Sequence, residues 1–429
     1  MDAIQTTGMS ILDHPQAEIL LADARLTPAS VRGCQDRLEG FLSRYLPLFY
    51  RVEQRVNATL VIRGLLSGLE RKTCEPIARA HEVERKPVQF FVGSGKWDDE
   101  AVMGELRSHV AEELGDPNAV LVMDASTFAK KGAESCGVQR QWSGRLGKLD
   151  NCQAGVFLAY AAVGGHAPLD RRLYLPKEWA DDEDRREKCH VPATVVFQEK
   201  WRIALKMIAD HGEQLPHGWV AGDDEFGRCA ELRQALRARG ERYVLDVPCN
   251  TLIRDLKRRP PRRKSRGPKR QAPFERVDRW TIRQKPSRWQ RVEVRDGEKG
   301  PLQVDVLTTS VRAREDQRVG EEERLVVIRT VESKPRISYE LSNAAGEVDV
   351  SELARVHCER HRIEQIFQEA KGEAGLGHYE VRSWVGWHHH MTLSLVALWF
   401  LILERNRIGG KNTGYHHGTD PTDLYLLAS

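Results

Sequence analysis

Ala119-Val120-Leu121-Val122-Met123-Asp124 is an apolar run closed by a carboxylate, and it follows the turn-forming Asp116-Pro117-Asn118. A short run of this kind reads as a strand buried on both faces. It predicts that Asp124 ends the strand, where α/β sheets present ligand-binding groups. The chain before it reads differently. Up to about residue 115, apolar residues recur at helical intervals: Leu42, Tyr45, Leu46, Phe49 and Val52, then Val56, Leu60, Ile62, Leu65, Leu66 and Leu69, then Met103, Leu106, Val110 and Leu114. No strand-like run interrupts them, which predicts an all-helical N-terminal domain over 1–115.

Beyond Asp124 comes a polar loop through Gln153, then strands over 154–163 and 169–175 and a helix over 192–210. A fourth strand, Trp219-Val220-Ala221, runs into Gly222-Asp223-Asp224-Glu225-Phe226-Gly227. A helix over 229–239 and a fifth strand over 243–247 follow. This order predicts an α/β domain with a mixed central sheet, its first part spanning 116–249. Residues 260–270, Pro260-Pro261 followed by mostly basic residues, cannot pack a core and read as an exposed arm. Alternating runs at 280–294, 304–308, 325–329 and 337–341 extend that arm into a β-rich insertion over 250–345. Helices return at 346–410, among them an apolar one over 392–403, and a polar tail occupies 411–429.

Composition narrows the class. Hydrophobic residues at 40% and charged residues at 30% fit a globular protein. The longest apolar stretch, 391–403, is too short to span a bilayer, so no membrane role is expected. Residues 1–22 carry acids and no basic region, so no secretory signal is expected. The eight cysteines are scattered without a CxxC pair, which disfavours a zinc site or a disulfide framework and points to the reducing cytoplasm. The net charge of +4 conceals a basic block: residues 254–295 hold 17 Lys/Arg against four Asp/Glu, a surplus of 13 that leaves −9 for the rest. Such a block suits a polyanion, above all nucleic acid; an unspecific basic linker is the plainer alternative.

The stretch 357–371 reads as one helix, with Gly372 and Gly375 as stops. Val356, Ile363, Ile366, Phe367 and Ala370 fall on one flank. His357, Arg360, Glu364 and Lys371 fall on the next, within about 60° of one another. Taken alone this reads first as an i,i+4 charge pattern on a solvated face. With Asp124 and with Asp223 or Asp224 it gains another meaning. Three carboxylates meeting at one point require a cation between them, and hard oxygen donors favour Mg²⁺ or Mn²⁺.

The spacing His357-x2-Arg360-x3-Glu364-x6-Lys371 resembles the Tyr-x2-Arg-x3-Glu-x6-Lys signature of bacterial insertion-sequence DDE transposases. Asp124 to Gly132 resembles the segment around their first Asp. Gly137-Val138-Gln139-Arg140-Gln141, with Gly147-Lys148 and Asn151-Cys152-Gln153 beyond it, is similar to a stretch that follows in such proteins. The loop 221–227 resembles the one holding the second Asp and favours Asp223 over Asp224. The resemblance implies a ribonuclease-H-like mixed sheet flanked by helices, with Asp124, Asp223 and Glu364 as catalytic ligands of two Mg²⁺ or Mn²⁺ ions. It also implies DNA partners, namely the element's terminal inverted repeats and target DNA, and a homodimer acting on paired ends in the bacterial cytoplasm, on the nucleoid. Arg360 and Lys371 would contact end phosphates. His357 stands where the family has Tyr, and a shorter hydrogen-bond donor changes the contact made there.

Lys130 and Lys131, close behind Asp124, are further candidates for phosphate contact. Trp289, flanked by Arg288, is a candidate for stacking on an unpaired base. Trp280 is the alternative, and packing of both indoles inside the insertion is the plain reading. Basic residues among the N-terminal helices (Arg63, Arg71, Lys72, Arg79, Arg85, Lys86) suggest end recognition. Three consecutive histidines, His388 to His390, point in different directions on a helix and are not read as a metal site. The function expected is DNA transposition by strand cleavage and strand transfer. The competing classes are a DNA-binding protein without catalysis and a ribonuclease-H-like nuclease without joining activity.

Overall fold

A computed structural model describes residues 33–144, 147–260, 271–295, 301–315 and 318–409. The start of the chain, most of the basic arm (261–270) and the tail after 409 lie outside the described residues.

The described residues begin with helices α1 (Cys34–Tyr45), α2 (Val52–Leu65), α3 (Cys74–Ala80), α4 (Arg85–Gly93) and α5 (Asp99–Leu114). Asp98 caps α5 by accepting from the amides of Glu100 and Ala101. Then come strands β1 (Val120–Ala129), β2 (Gln139–Ser143), β3 (Lys148–Ala162) and β4 (Gly165–Leu173), helix α6 (Lys200–His211), β5 (Trp219–Gly222), α7 (Ala230–Ala238) and β6 (Tyr243–Asp246). The insertion supplies β7 (Leu252–Asp255), β8 (Glu275–Arg276), β9 (Gln290–Arg295), β10 (Leu302–Glu315), β11 (Arg318–Thr330) and β12 (Ile337–Ser342). Helices α8 (Val350–Gly372) and α9 (Trp384–Gly409) close the described chain.

One mixed sheet carries these strands in the order β2-β3-β1-β5-β6-β12-β11-β10-β7-β8, with β4 on β3 and β9 on β10. β1, β5 and β6 run parallel to one another; β3 is antiparallel to them on one side and β12 on the other, and β4, antiparallel to β3, runs in the β1 direction again. The expected α/β class with a mixed sheet and a helical start is therefore what the chain forms. Val120, Leu121, Val122 and Met123 are all fully buried, as a central strand requires.

Several boundaries differ from those read in the sequence. β1 continues past Asp124 to Ala129, because β3 keeps pairing with it after its parallel partner β5 has ended at the Met123–Gly222 pair. The segment expected to be a polar loop contains β2, a hairpin strand on β3 whose residues alternate in exposure and lack an apolar run. The helix expected from 192 begins only at Lys200. Trp280 lies on a short helix, Val277–Ile282, so the strand expected over 280–294 reduces to β9. α9 starts at Trp384, well before 392, and is buried on every side from Gly386 to Phe400, as befits a helix without a polar face. Among the described residues no helix is long and apolar enough to cross a membrane.

The main core joins the N-terminal helices, the central strands, α8 and α9 in one continuous cluster. The insertion has a smaller core of its own around Val247, Ile253, Trp280, Leu307, Val311 and Leu325.

Candidate active site

Strand register places three aspartates in a row. Met123 pairs with Gly222 and Gly222 with Leu245, so Asp124, Asp223 and Asp246 are the next residues of three neighbouring parallel chains. On the far side of β6, Glu340 of β12 stands directly opposite Asp246. Asp124 accepts from the amide of Ala125. Asp223 caps the single helical turn Asp224–Gly227, accepting from the amides of Glu225 (3.0 Å) and Phe226 (3.4 Å). That turn presses on β6 so closely that a Cβ on Gly227 would lie 2.0 Å from the carbonyl oxygen of Asp246. Glycine is the residue that permits this approach. Asp224 turns outward instead and pairs with Arg228 at 2.7 Å.

Helix α8 lies along β1. Near its start, Trp219 of β5 donates to Glu352 (2.7 Å) and Arg355 donates to the carbonyl of Asn118 (2.8 Å). At its end, Lys371 donates to Ser126 of β1 (2.7 Å). Sixteen helical residues rise about 24 Å and eight strand residues about 26 Å, so helix and strand advance together. Glu364 lies on α8 between these anchors, close enough to Asp124 to add to the upward shift of its carboxyl. Its side chain is exposed and meets Arg360 at 3.2 Å and His361 at 3.4 Å.

Arg360 sits among the acids: its Nε is 3.0 Å from Asp246, and its Nη1 donates to Glu364. His357, one turn earlier, is buried and turned inward, 2.9 Å from Glu340 and 3.9 Å from Asp246. Asp246, Glu340 and His357 each offer a ligand atom within 4.8 Å of the others.

The electrostatics follow from this crowding. Burial and then Asp223 hold the Asp124 carboxyl well above the usual carboxylate range, with Glu364 adding to the shift. Burial, Glu225 and Asp224 push Asp223 up to about 6. Burial and Glu340 push Asp246 up to about 7. Glu364 is held low, first by its hydrogen bond with His361 and also by Arg360. Burial disfavours protonated His357, yet Glu340 and Asp246 outweigh it and raise its pKa. Asp124, Asp223 and Asp246 are thus short of positive charge, and an all-oxygen set at Asp124, Asp223 and Glu364 suits a hard divalent cation.

The other residues singled out in the sequence fall as follows. Lys130 is folded back, its ammonium 3.3 Å from the centre of the Tyr379 ring, and burial lowers its pKa to about 8. Lys131 is exposed. Trp289 is half-buried at the margin of the smaller core, with Arg329 stacked 4.3 Å from its ring. Trp280 is fully buried and donates to Asp255, while the exposed Arg288 lies over its ring. His388, His389 and His390 are buried, and each bonds a different backbone carbonyl: Trp384, Trp97 and Gly375.

A family model described as DDE superfamily endonuclease matches residues 44–301. The chain belongs to that family. The matched part contains Asp124, Asp223 and Asp246 and stops before Glu340 and Glu364. It is also 28% identical over 135 residues to a protein of Microchaete diplosiphon named "Probable transposase for insertion sequence element IS701". That match spans 31% of this chain and 36% of the relative, about a third of each.

Asp246 and Glu340 are not among the residues that the sequence reading singles out. A signal for Asp246 existed: Tyr243-Val244-Leu245-Asp246 is the third apolar run ending in Asp, after those of Asp124 and Asp223. Glu340, by contrast, looks like any polar residue of an alternating strand.

Proposed function

We propose that this chain is a DNA transposase that cuts the ends of an insertion-sequence element and joins the freed 3′ ends to target DNA. The observation that carries the reading is the register that sets Asp124 and Asp223 side by side on a DDE-family sheet, with Arg360 and Glu364 joined on the helix packed against it. In this reading the three acids hold two divalent ions, Mg²⁺ or Mn²⁺. Bound there, the ions supply Lewis acidity for water activation and in-line displacement at phosphorus.

The chain's own residues position the DNA. Arg360 leaves its acidic neighbours to meet a phosphate beside the cut, offering a planar fork of donors. Lys371, held on Ser126, and the exposed Lys131 extend the positive edge along β1. His357 and Lys130, turned inward in the free chain, reach phosphate only after a local rearrangement. The N-terminal helices up to residue 115 recognise the terminal repeats. The catalytic domain is divided between 116–249 and 346–410, with the tail 411–429 beyond it. The insertion at 250–345, with Trp289 and Arg288, grips distorted end DNA. A homodimer in the bacterial cytoplasm, on the nucleoid, pairs the two ends.

The test is a gel cleavage assay on the DNA that flanks the gene. Mg²⁺-dependent release of a 3′-OH at the ends, followed by joining, supports the reading, provided that Asp124→Ala and Glu364→Ala abolish both. Cleavage without joining reduces it to a nuclease, and binding without cleavage to a DNA-binding protein.

A further inference from the structure

We propose that Asp246, Glu340 and His357 form a second cation site, separate from the Asp124, Asp223 and Glu364 set, that takes a divalent ion such as Zn²⁺, for which Mn²⁺ serves as a spectroscopic probe. Three observations meet here.

The first is register. Asp246 and Glu340 are directly opposed on the antiparallel pair β6 and β12. Like charges in that position repel, and Glu340 is fully buried, so water does not screen them. The second is a set of unsatisfied atoms. Both carboxylate oxygens of Glu340, Nδ1 of His357 and Nε of Arg360 are buried without an aligned hydrogen-bond partner, although that Nε makes an ion pair with Asp246 at 3.0 Å. His357 lies 2.9 Å from Glu340, but the two are not aligned as donor and acceptor. Orphaned buried atoms of opposite character around one point mark a place where a group is held. The third is spacing: one donor atom from each of the three residues falls within 4.8 Å of the others, which a central ion can span.

Charge sets this site apart from its neighbour. Asp124, Asp223, Asp246, Glu340 and Glu364 bring five carboxylates to this end of the sheet. Arg360 stands between the two groups and touches one member of each, Asp246 and Glu364. One guanidinium does not neutralise five acids. The Glu364 side offers oxygens alone, a donor set for Mg²⁺. The Glu340 side adds an imidazole, which favours a softer ion. His357 reaches Glu340 from the helix α8 that also carries Glu364. An ion here would therefore pin that helix to β6 and β12 and fix the height of Glu364 over the sheet.

The site stands or falls independently of transposition, and the test removes the neighbouring set. A chain carrying Asp124→Asn and Glu364→Gln is dialysed against Zn²⁺ or Mn²⁺, washed, and assayed for bound metal. One ion per chain is expected, with affinity lowered by at least about tenfold on adding Glu340→Gln or His357→Gln. Pulsed EPR of Mn²⁺ on the doubly substituted chain guards against misfolding at position 340. It should show a nitrogen coupling that disappears with His357→Gln and persists with His361→Gln. A chain that retains no ion overturns the proposal, leaving protonated His357 to balance the acids. So does a bound ion indifferent to both substitutions, or a nitrogen coupling that follows His361.

Discussion

Arg360 holds Asp246 at 3.0 Å, although the sequence spacing alone pairs it with Glu364. The guanidinium thus bridges the strand that ends in Asp246 and the helix that carries Glu364, where a lysine has one point of charge to offer. Arg360→Lys keeps the charge and loses the fork. DNA cleavage is expected to fall by about 10–100-fold while the thermal midpoint stays nearly unchanged. Equal losses of stability and activity would instead make Arg360 a structural residue.

Asp124 is an acid the fold tolerates at a cost. Burial and Asp223 disfavour its charged form, so Asp124→Asn relieves repulsion while the new side chain can still accept from the amide of Ala125. In EDTA the variant should be more stable than the parent by about 1 kcal/mol or more in urea unfolding. Adding Mg²⁺ should raise the parent's midpoint and leave the variant's nearly unchanged, and cleavage should drop to background. A variant less stable than the parent in EDTA would place Asp124 in a supporting role.

His388 and His390 give the fold an acid limit. Burial lowers both pKa values to about 4, below the ordinary value for histidine. Between about pH 6.5 and pH 4 the unfolded chain binds protons there that the folded chain refuses, so stability falls as pH falls through that window. Each group contributes a slope of about 1.4 kcal/mol per pH unit. Asp223 and Asp246, raised to about 6 and about 7, act in the opposite sense over the same range, so the comparison is between chains: from pH 7 to pH 5 the urea midpoint should decline less, or rise more, in His390→Gln than in the parent. A slope unchanged by that substitution would show that other groups set it.

The two tryptophans of the insertion separate packing from recognition. Trp280 fills the smaller core, and Trp280→Ala should cost about 3–5 kcal/mol of stability. Trp289 is half-buried beneath Arg329, and its removal should cost about 1 kcal/mol. If Trp289 also stacks on an unpaired base, Trp289→Ala should weaken end-DNA binding by about 5- to 150-fold, equivalent to about 1–3 kcal/mol. Unchanged binding in a gel-shift titration would confine it to packing.

How far the sequence could be read depended on whether a residue's partners lie nearby in the chain. β1, β5 and β6 were legible because a strand buried on both faces must be continuously apolar, and Asp124 and Asp223 were legible as the breaks that end those runs. β2 was not, since a hairpin strand with one wet face alternates like a polar loop. Trp280 was placed on a strand because a six-residue helix is shorter than the period needed to recognise it. Glu340 gave no signal: its meaning lies in Asp246 and His357, which reach it through strand register and the packing of α8. The inward turn of His357 was hidden for the same reason.

Gly227 tests whether the aspartate row depends on close approach of the backbone. A Cβ there would meet the Asp246 carbonyl oxygen at 2.0 Å and the Leu245 side chain at 3.0 Å, so Gly227→Ala must push the turn after β5 away from β6. Asp223 starts that turn and Asp246 ends β6, so the same displacement separates two members of the row. Stability should fall by about 1–3 kcal/mol, and cleavage should fall further than that loss accounts for when assayed well below the unfolding midpoint. Gly132→Ala is the control, because an added Cβ there meets nothing within 4 Å. Full activity in Gly227→Ala would show that the spacing of Asp223 and Asp246 is not what the turn protects.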